Sequence, residues 1–148
     1  RDCLLSRGLG DVYKRQRYHH DGEQYGSAAF CNLFLSDDKG LDVHFPYSGQ
    51  RIPLVRGTAI VFDTCQPHAV IRRGSSGFQT ADFASDEDLT QLFLTWELPV
   101  EAACVAQALG VVFDIDPQAA AGMAQEQVWE NGARAVVNPA SGRWDPAV

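Results

Sequence analysis

The sequence predicts a mainly β protein, an antiparallel sandwich or barrel in a single domain. Short apolar segments recur between Arg17 and Val100, separated by turns rich in Gly, Pro, Asp and Ser. They amount to about seven strands, and no long helical pattern interrupts them. With 148 residues, of which 45% are hydrophobic, the chain can bury a core of its own.

The first half of this region contains three predicted strands. Residues 17–21 are short and extended. Residues 27–35 are apolar, with aromatic and β-compatible side chains, and a Ser-Asp-Asp-Lys-Gly break follows them. Residues 41–46 alternate apolar and polar side chains (Leu-Asp-Val-His-Phe), which is the pattern of a half-buried strand.

The second half contains four more predicted strands. A short one covers residues 51–55, and the β-branched run at 58–63 (Thr-Ala-Ile-Val-Phe-Asp) predicts a buried one. Two others cover 68–72 and 89–98. The polar, glycine-containing residues 74–88 between them predict a long loop, and such loops often act as lids over a site.

The remainder of the chain reads differently. Residues 100–109 and 117–129 are alanine-rich with apolar positions three and four apart, which predicts two helices. Residues 110–115 are a candidate strand, and 131–148, with several Gly and Pro residues, are expected to be irregular. We therefore expect residues 101–148 to form an extension that packs on a core domain at 17–100.

Residues 1–16 show neither strand alternation nor helix periodicity and begin without methionine. The segment resembles translated sequencing-adapter read-through at the end of a metagenomic gene fragment. We expect it to be non-native, and the native amino-terminal part of the protein to be missing.

Composition argues against several classes of partner. The net charge of −7 is unfavourable for nucleic-acid binding, which needs clustered Lys and Arg, and no segment approaches the roughly 20 apolar residues of a membrane span. The cysteines are widely spaced, without a CxxC pair or a secretory signal, so free thiols in a reducing cytoplasm are expected. They are Cys3, Cys31, Cys65 and Cys104.

The strongest functional signal is a set of potential metal ligands. His19 and Asp21 are two residues apart, so a strand would place them on one face, and His68 could add a second imidazole. His20 would point to the opposite face. Two histidines and one carboxylate leave other metal positions open, as non-haem Fe(II) requires for a co-substrate and dioxygen.

These residues resemble the His-x-Asp and distal histidine of the Fe(II)/2-oxoglutarate-dependent dioxygenases. Residues 57–68 (Gly-Thr-Ala-Ile-Val-Phe-Asp-Thr-Cys-Gln-Pro-His) are similar to the run that leads to the distal histidine in hydroxylases of that superfamily. The resemblance implies a double-stranded β-helix, a jelly-roll or cupin-like barrel, here truncated at its amino terminus. It also implies that His19, Asp21 and His68 bind Fe(II), and that 2-oxoglutarate and O2 support hydroxylation of a small molecule or an amino-acid or peptide side chain.

The residue that would bind the distal carboxylate of 2-oxoglutarate is less clear from the sequence. Many members of the superfamily place an arginine on the last core strand, but residues 77–82 and the last predicted strand contain no Arg or Lys. Strand alternation puts Arg72 on the face of His68, which makes it the first candidate. Arg51 and Arg56 are further options, and a solvated strand end is the alternative reading for Arg72.

Polar residues on other predicted strands are candidates for lining the barrel. Asn32 and Thr95 could bind the co-substrate, and Gln91 could do the same, although each is equally compatible with a satisfied polar group in a packed interior. His44, on the polar face of its strand, is expected to be exposed or at the mouth of the pocket.

Two other functions are compatible with these patterns. One is a cupin-like metal-binding protein that does not use 2-oxoglutarate, and the other is a non-catalytic ligand-binding β-barrel in which the His and Asp residues are structural. The prime substrate and the oligomeric state do not follow from the sequence.

Overall fold

The computed structural model describes residues 17–25, 28–83, 87–100, 102–110, 129–130 and 132–147, so the expectation for residues 1–16 lies outside it. No helix in these ranges is long and apolar enough to cross a membrane. The strands are β1 (Ala28–Phe34), β2 (Leu41–Phe45), β3 (Gln50–Pro53), β4 (Ala59–Asp63), β5 (Ala69–Arg72), β6 (Phe93–Pro99), β7 (Trp129–Glu130), β8 (Ala133–Val137) and β9 (Trp144–Pro146). The helices are α1 (Gly22–Tyr25), a 3-10 turn at Thr80–Phe83, and α2 (Ala103–Leu109).

Antiparallel pairing throughout confirms the prediction of a mainly β protein. The first sheet has the order β4-β1-β6, the second β3-β2-β5 and the third β7-β8-β9. In the first sheet Asn32 lies opposite both Ile60 and Thr95. The three sheets remain separate in the described part of the chain, and no closed barrel forms there.

The first two sheets enclose the main core. Their inward-facing apolar residues form one cluster with Phe83 and Leu89 from the segment that follows β5. From the first sheet this cluster takes Phe34 and Ile60, and from the second Leu41, Val43, Phe45 and Val70. The chain passes between the two sheets repeatedly, since β1, β4 and β6 belong to the first and β2, β3 and β5 to the second.

The carboxyl-terminal extension corrects one expectation. Residues 131–148 were expected to be irregular, but β8 and β9 form a hairpin there. The turn of this hairpin requires a glycine at position 142. Gly142 has φ 71°, a conformation that is unfavourable for residues with a Cβ. Half-buried Val137 packs against Tyr18, Ala69 and Ile71 on the outer face of the second sheet. This tertiary packing stabilises strands that the Gly and Pro content does not predict.

The structure tests only part of the helices predicted for the carboxyl-terminal extension. The helix predicted at 100–109 is present as α2 and ends at Gly110, whose φ is 65°. Apart from Gly110, the strand predicted at 110–115 lies outside the described residues, as does most of the helix predicted at 117–129. Trp129 belongs to β7 rather than to a helix.

Candidate metal centre

Two of the three predicted ligands are paired through the main chain. The His19 N–H donates to the His68 carbonyl at 3.1 Å, and the His68 N–H donates to the His19 carbonyl at 2.9 Å. This antiparallel bridge sets residues 17–20 beside the start of β5, and it holds the two imidazole centroids 4.5 Å apart. This reciprocal pair of hydrogen bonds fixes His19 directly opposite His68 and places their side chains on the same side of the backbone.

The third ligand is placed by the turn that follows β4. The Asp21 N–H donates to the Thr64 carbonyl at 2.8 Å. The hydroxyl of Thr64, which is fully buried, donates to the Tyr25 carbonyl at 2.8 Å and lies 3.1 Å from the Ala28 carbonyl. Thr64 therefore ties the Asp21 loop to both α1 and β1.

The side chains converge as the sequence predicts. Asp21 Oδ1 lies 3.8 Å from His19 Nε2, and Asp21 Oδ2 lies 3.6 Å from His68 Nε2. One ligand atom from each of the three residues lies within 4.8 Å of the others. That spacing suits a single divalent ion at their centre, because metal–ligand bonds to nitrogen and oxygen are about 2.0–2.2 Å long.

Backbone carbonyls orient both imidazoles. His19 Nδ1 lies 2.8 Å from the Arg17 carbonyl, and His68 Nδ1 lies 2.9 Å from the Gln66 carbonyl. Since a carbonyl can only accept, each Nδ1 carries the proton, and in the neutral ring Nε2 keeps its lone pair on the side of Asp21. Metal-bound histidines in proteins are held in this way by a second group.

The protonation state of His68 also suits metal binding. Burial, reinforced by the charge of His19, lowers the pKa of His68 to about 4. The imidazole is thus neutral at pH 7, and no proton has to leave before it can bind a cation.

The centre is closed on one side and open on the other. His68 is 3% exposed, and its ring packs against Phe62 and Phe45, with centroid distances of 5.1 and 6.0 Å. The side chains of His19 and Asp21 remain about 30% exposed. A metal there would keep positions open for ligands from outside the protein.

His20 takes no part in the cluster, as alternation along the strand predicts. Its Nδ1 accepts a hydrogen bond from the Gly22 N–H at 3.2 Å, and its ring meets Trp144 edge-on at 4.9 Å. Gly22 allows the loop to approach the next one closely, because a Cβ there would lie 2.5 Å from Cys65 Sγ.

The candidate arginines for a carboxylate ligand all have partners. Arg72 donates to the Asp82 carbonyl at 3.1 Å and the Lys39 carbonyl at 3.3 Å, and it pairs with the Glu87 carboxylate. It is four residues beyond His68 on the same strand, so their Cα atoms are roughly 13 Å apart. Its guanidinium is engaged at the end of the sheet away from His68.

Arg51 and Arg56 lie elsewhere. Arg51 donates to the Ser75 and Arg72 carbonyls and pairs with Asp42. Arg56 pairs with the exposed carboxylate of Asp37. Neither geometry brings a cation to the metal ligands.

Two of the predicted interior polar residues, Asn32 and Gln91, have unsatisfied side-chain atoms. Asn32 and Gln91 are each 2% exposed, and Asn32 Oδ1 and both polar side-chain atoms of Gln91 have no hydrogen-bond partner. Thr95, opposite Asn32, is half-buried. An unsatisfied buried polar group costs about 1–3 kcal/mol, so these side chains are suited to a polar ligand or water between the sheets.

The sequence did not predict the backbone carbonyls of Arg17 and Gln66 that orient the imidazoles of His19 and His68. Both act through backbone carbonyls, which every residue carries, so no side-chain pattern could have identified them.

No protein-family model, curated protein or solved structure matches this chain.

Proposed function

We propose that this protein is a mononuclear non-haem Fe(II) oxygenase that uses 2-oxoglutarate and O2 to hydroxylate a small molecule or an amino-acid or peptide side chain. The observation that carries the proposal is the convergence of His19, Asp21 and His68 within 4.8 Å, with both imidazoles oriented by carbonyls. Two imidazole nitrogens and one carboxylate, with open positions, are the ligand set of such iron centres.

The strand order supports a jelly-roll as the framework. From β1 to β6 the strands alternate between two facing sheets, except that the consecutive strands β2 and β3 lie in the same sheet. Jelly-rolls build a two-sheet core in this way. In this arrangement the distal histidine precedes β5, and the bridge to His19 extends the second sheet beside that strand.

The residues of the chain would hold the iron and limit the access of water. His19, Asp21 and His68 bind it, the Arg17 and Gln66 carbonyls keep the imidazoles in the Nδ1–H form, and the aromatic wall excludes water beside His68. When bound, the iron supplies the oxygen chemistry, coupled to decarboxylation of the 2-oxo acid to succinate. The unsatisfied Gln91 Nε2 can donate a hydrogen bond to a bound organic acid, and the unsatisfied oxygens of Asn32 and Gln91 can accept one from a hydroxyl or N–H group of a substrate.

A second candidate, a cupin-like metal protein that does not use 2-oxoglutarate, is favoured by one specific observation. Arg72 is engaged with Glu87 and two carbonyls, so the fit to a dicarboxylate is weaker than the fit to the metal. Binding of 2-oxoglutarate through Arg72 would have to displace the Glu87 carboxylate.

An anaerobic titration separates these functions. Fe(II) is added to the protein with and without 2-oxoglutarate, and the weak visible absorption of a 2-oxo acid bound to iron is recorded. We expect the band in the wild type and in the control His20→Ala, and its loss in His19→Ala and His68→Ala. Iron binding without the band supports the cupin-like function, and no iron binding overturns the metal site.

Product analysis provides the functional counterpart. In air, the oxygenase should convert 2-oxoglutarate to succinate slowly even without a prime substrate, and faster when a substrate is present. Failure to form succinate with iron bound would exclude 2-oxoglutarate as the co-substrate.

A further inference from the structure

A polar cleft on the outer face of the second sheet is distinct from the metal centre. It encloses about 390 Å³ between Tyr18 and His44 on one side and the turn of the β8–β9 hairpin on the other. Tyr18 and His19 are adjacent in an extended segment, so their side chains point to opposite faces. The cleft therefore lies behind the extended segment that carries the first metal ligand.

The chain builds the walls of this cleft closely. Tyr18 is 4% exposed, and its hydroxyl lies 2.5 Å from His44 Nδ1. A Cβ at Gly142 would lie 2.5 Å from Pro46 Cγ and 2.7 Å from Tyr18 Cδ1, so only glycine lets the hairpin turn pack against this wall. The Tyr18 N–H also donates to the Pro139 carbonyl at 3.3 Å.

Tyr18 and His44 are joined within this wall. Besides the hydrogen bond between the Tyr18 hydroxyl and His44 Nδ1, the two rings meet edge-on with their centroids 5.7 Å apart. The two side chains therefore form one fixed polar pair in the lining of the cleft.

The opposite wall carries the positive charge of Arg143, which has no counterion among the described residues. Arg143 makes no ion pair with any residue in the described ranges. Its guanidinium lies over the Tyr47 ring, 5.1 Å from the centroid, and the Tyr47 hydroxyl accepts a hydrogen bond from the Trp144 N–H at 2.7 Å. A cation–π contact with an anchored ring restricts where the guanidinium can lie.

The described residues that line the cleft include several hydrogen-bond donors and no Asp or Glu. None of the described residues that line the cleft is acidic, although the whole chain has 19 Asp and Glu against 12 Lys and Arg. Groups able to donate a hydrogen bond come from both walls and from the loop after β5. They are Tyr18, His44, Ser76, Gln79, Ser141 and Arg143.

We propose that this cleft is a second binding site, for a small organic anion that presents a carboxylate or phosphate group to Arg143. The planar fork of an arginine matches both oxyanions, and hydroxyl donors such as Ser76 and Ser141 can complete their hydrogen bonds. The volume falls within the range of sites for small molecules. The site does not depend on the proposed oxygenase activity.

The test is a titration of the metal-free protein followed by 1H–15N NMR, with inorganic phosphate and malonate as separate probes at constant ionic strength. We expect saturable shifts at the Gly77 and Gly142 amides, with a Kd of about 1 mM or tighter for at least one probe. Saturation by phosphate alone identifies a phosphate site, and saturation by malonate alone identifies a carboxylate site.

Arg143→Gln should weaken binding roughly tenfold or more, because it removes a charge-assisted hydrogen bond. Arg56→Gln is the matched control, since Arg56 is exposed and pairs with Asp37 outside the cleft. The proposal is overturned if neither probe saturates, if the shifts map to other basic residues, or if both variants lose affinity equally. Since no metal is present, failure here leaves the proposed function untouched.

Discussion

His19 and His68 exchange two backbone hydrogen bonds, so that residues 49 positions apart in a chain of 148 are held as one antiparallel pair. Their rings lie on the same side with centroids 4.5 Å apart. The imidazoles are thus positioned before any metal arrives. A preorganised pair avoids part of the ordering entropy that binding would otherwise cost.

Thr64 should control both stability and metal affinity. Thr64→Val keeps the shape of the side chain but removes the hydroxyl that bonds with the Tyr25 and Ala28 carbonyls. Loss of these buried bonds should lower the free energy of unfolding by about 1–3 kcal/mol, and displacement of the Asp21 loop should weaken Fe(II) binding. Urea denaturation and metal titration measure the two effects.

The control for that change is Thr80→Val, at an exposed threonine in the 3-10 turn. Its effect on stability should stay within about 0.5 kcal/mol, without a change in iron affinity. An equal loss of iron affinity in both variants would show that Thr64 does not position Asp21.

Asn32 should separate stability from ligand binding. Asn32→Leu removes a buried amide whose oxygen has no partner, so the ligand-free protein should be unchanged or stabilised by up to about 1 kcal/mol. The same change removes the N–H donors of the Asn32 amide, so binding of 2-oxoglutarate to the Fe(II) protein should weaken. Loss of stability with unaltered binding would contradict a ligand role, and melting curves with and without 2-oxoglutarate provide the measurement.

How much could be predicted from the sequence differs from one element to another. Alternation at 41–46 identified β2, because it depends only on local periodicity. Strand alternation also predicted that His19 and Asp21 share a side, but residues 17–21 form only an isolated bridge at His19, and Asp21 is placed by its bond with the Thr64 carbonyl. The hairpin at 133–146 could not be identified in this way. Its glycine and prolines are equally typical of irregular chain, and the burial of Val137 depends on residues far away in sequence.

The partners of charged side chains were also beyond the sequence. Alternation placed Arg72 on the face of His68, but not Glu87 beside it, because Glu87 comes from a loop whose path no periodicity describes. His44 was expected to be exposed or at a pocket mouth. Its hydrogen bond with Tyr18 could not be predicted, because it depends on β2 and the segment that contains Tyr18 both lying beside β5.

The metal-free protein should lose stability in mild acid. The pKa of His68 is lowered to about 4 from about 6.5 in an unfolded chain, so between these values the unfolded state binds more protons than the folded state. The free energy of unfolding should therefore fall as the pH drops from 6.5 to 4, by roughly 3 kcal/mol at most from this group. Urea denaturation across this range measures the fall.

His68→Gln serves as the comparison for the pH effect, because it removes the titrating group while keeping a polar side chain. The variant should show a shallower dependence on pH between 4 and 6.5. Identical slopes in the two proteins would assign the acid sensitivity to other groups, and an NMR titration with the His68 resonance moving near pH 6.5 would refute the lowered pKa directly.

Gly22 should be needed for the metal centre for a steric reason. A Cβ there would lie 2.5 Å from Cys65 Sγ and 3.2 Å from the Cys65 Cα, so Gly22→Ala must push apart the loops that carry Asp21 and Thr64. We expect Fe(II) affinity to fall by about tenfold or more, the consequence of displacing one ligand by a fraction of an ångström. Metal titration under anaerobic conditions measures the loss.

A different glycine tests whether this loss is local. Gly49 has φ 68° and open space where a Cβ would be, so Gly49→Ala should cost about 1 kcal/mol of stability through backbone strain while iron affinity is retained. Cys65→Ala combined with Gly22→Ala removes the nearest clashing atom and should restore part of the affinity. If the double variant binds iron no better than Gly22→Ala alone, contact with the Cys65 sulfur is not what holds Asp21 in place.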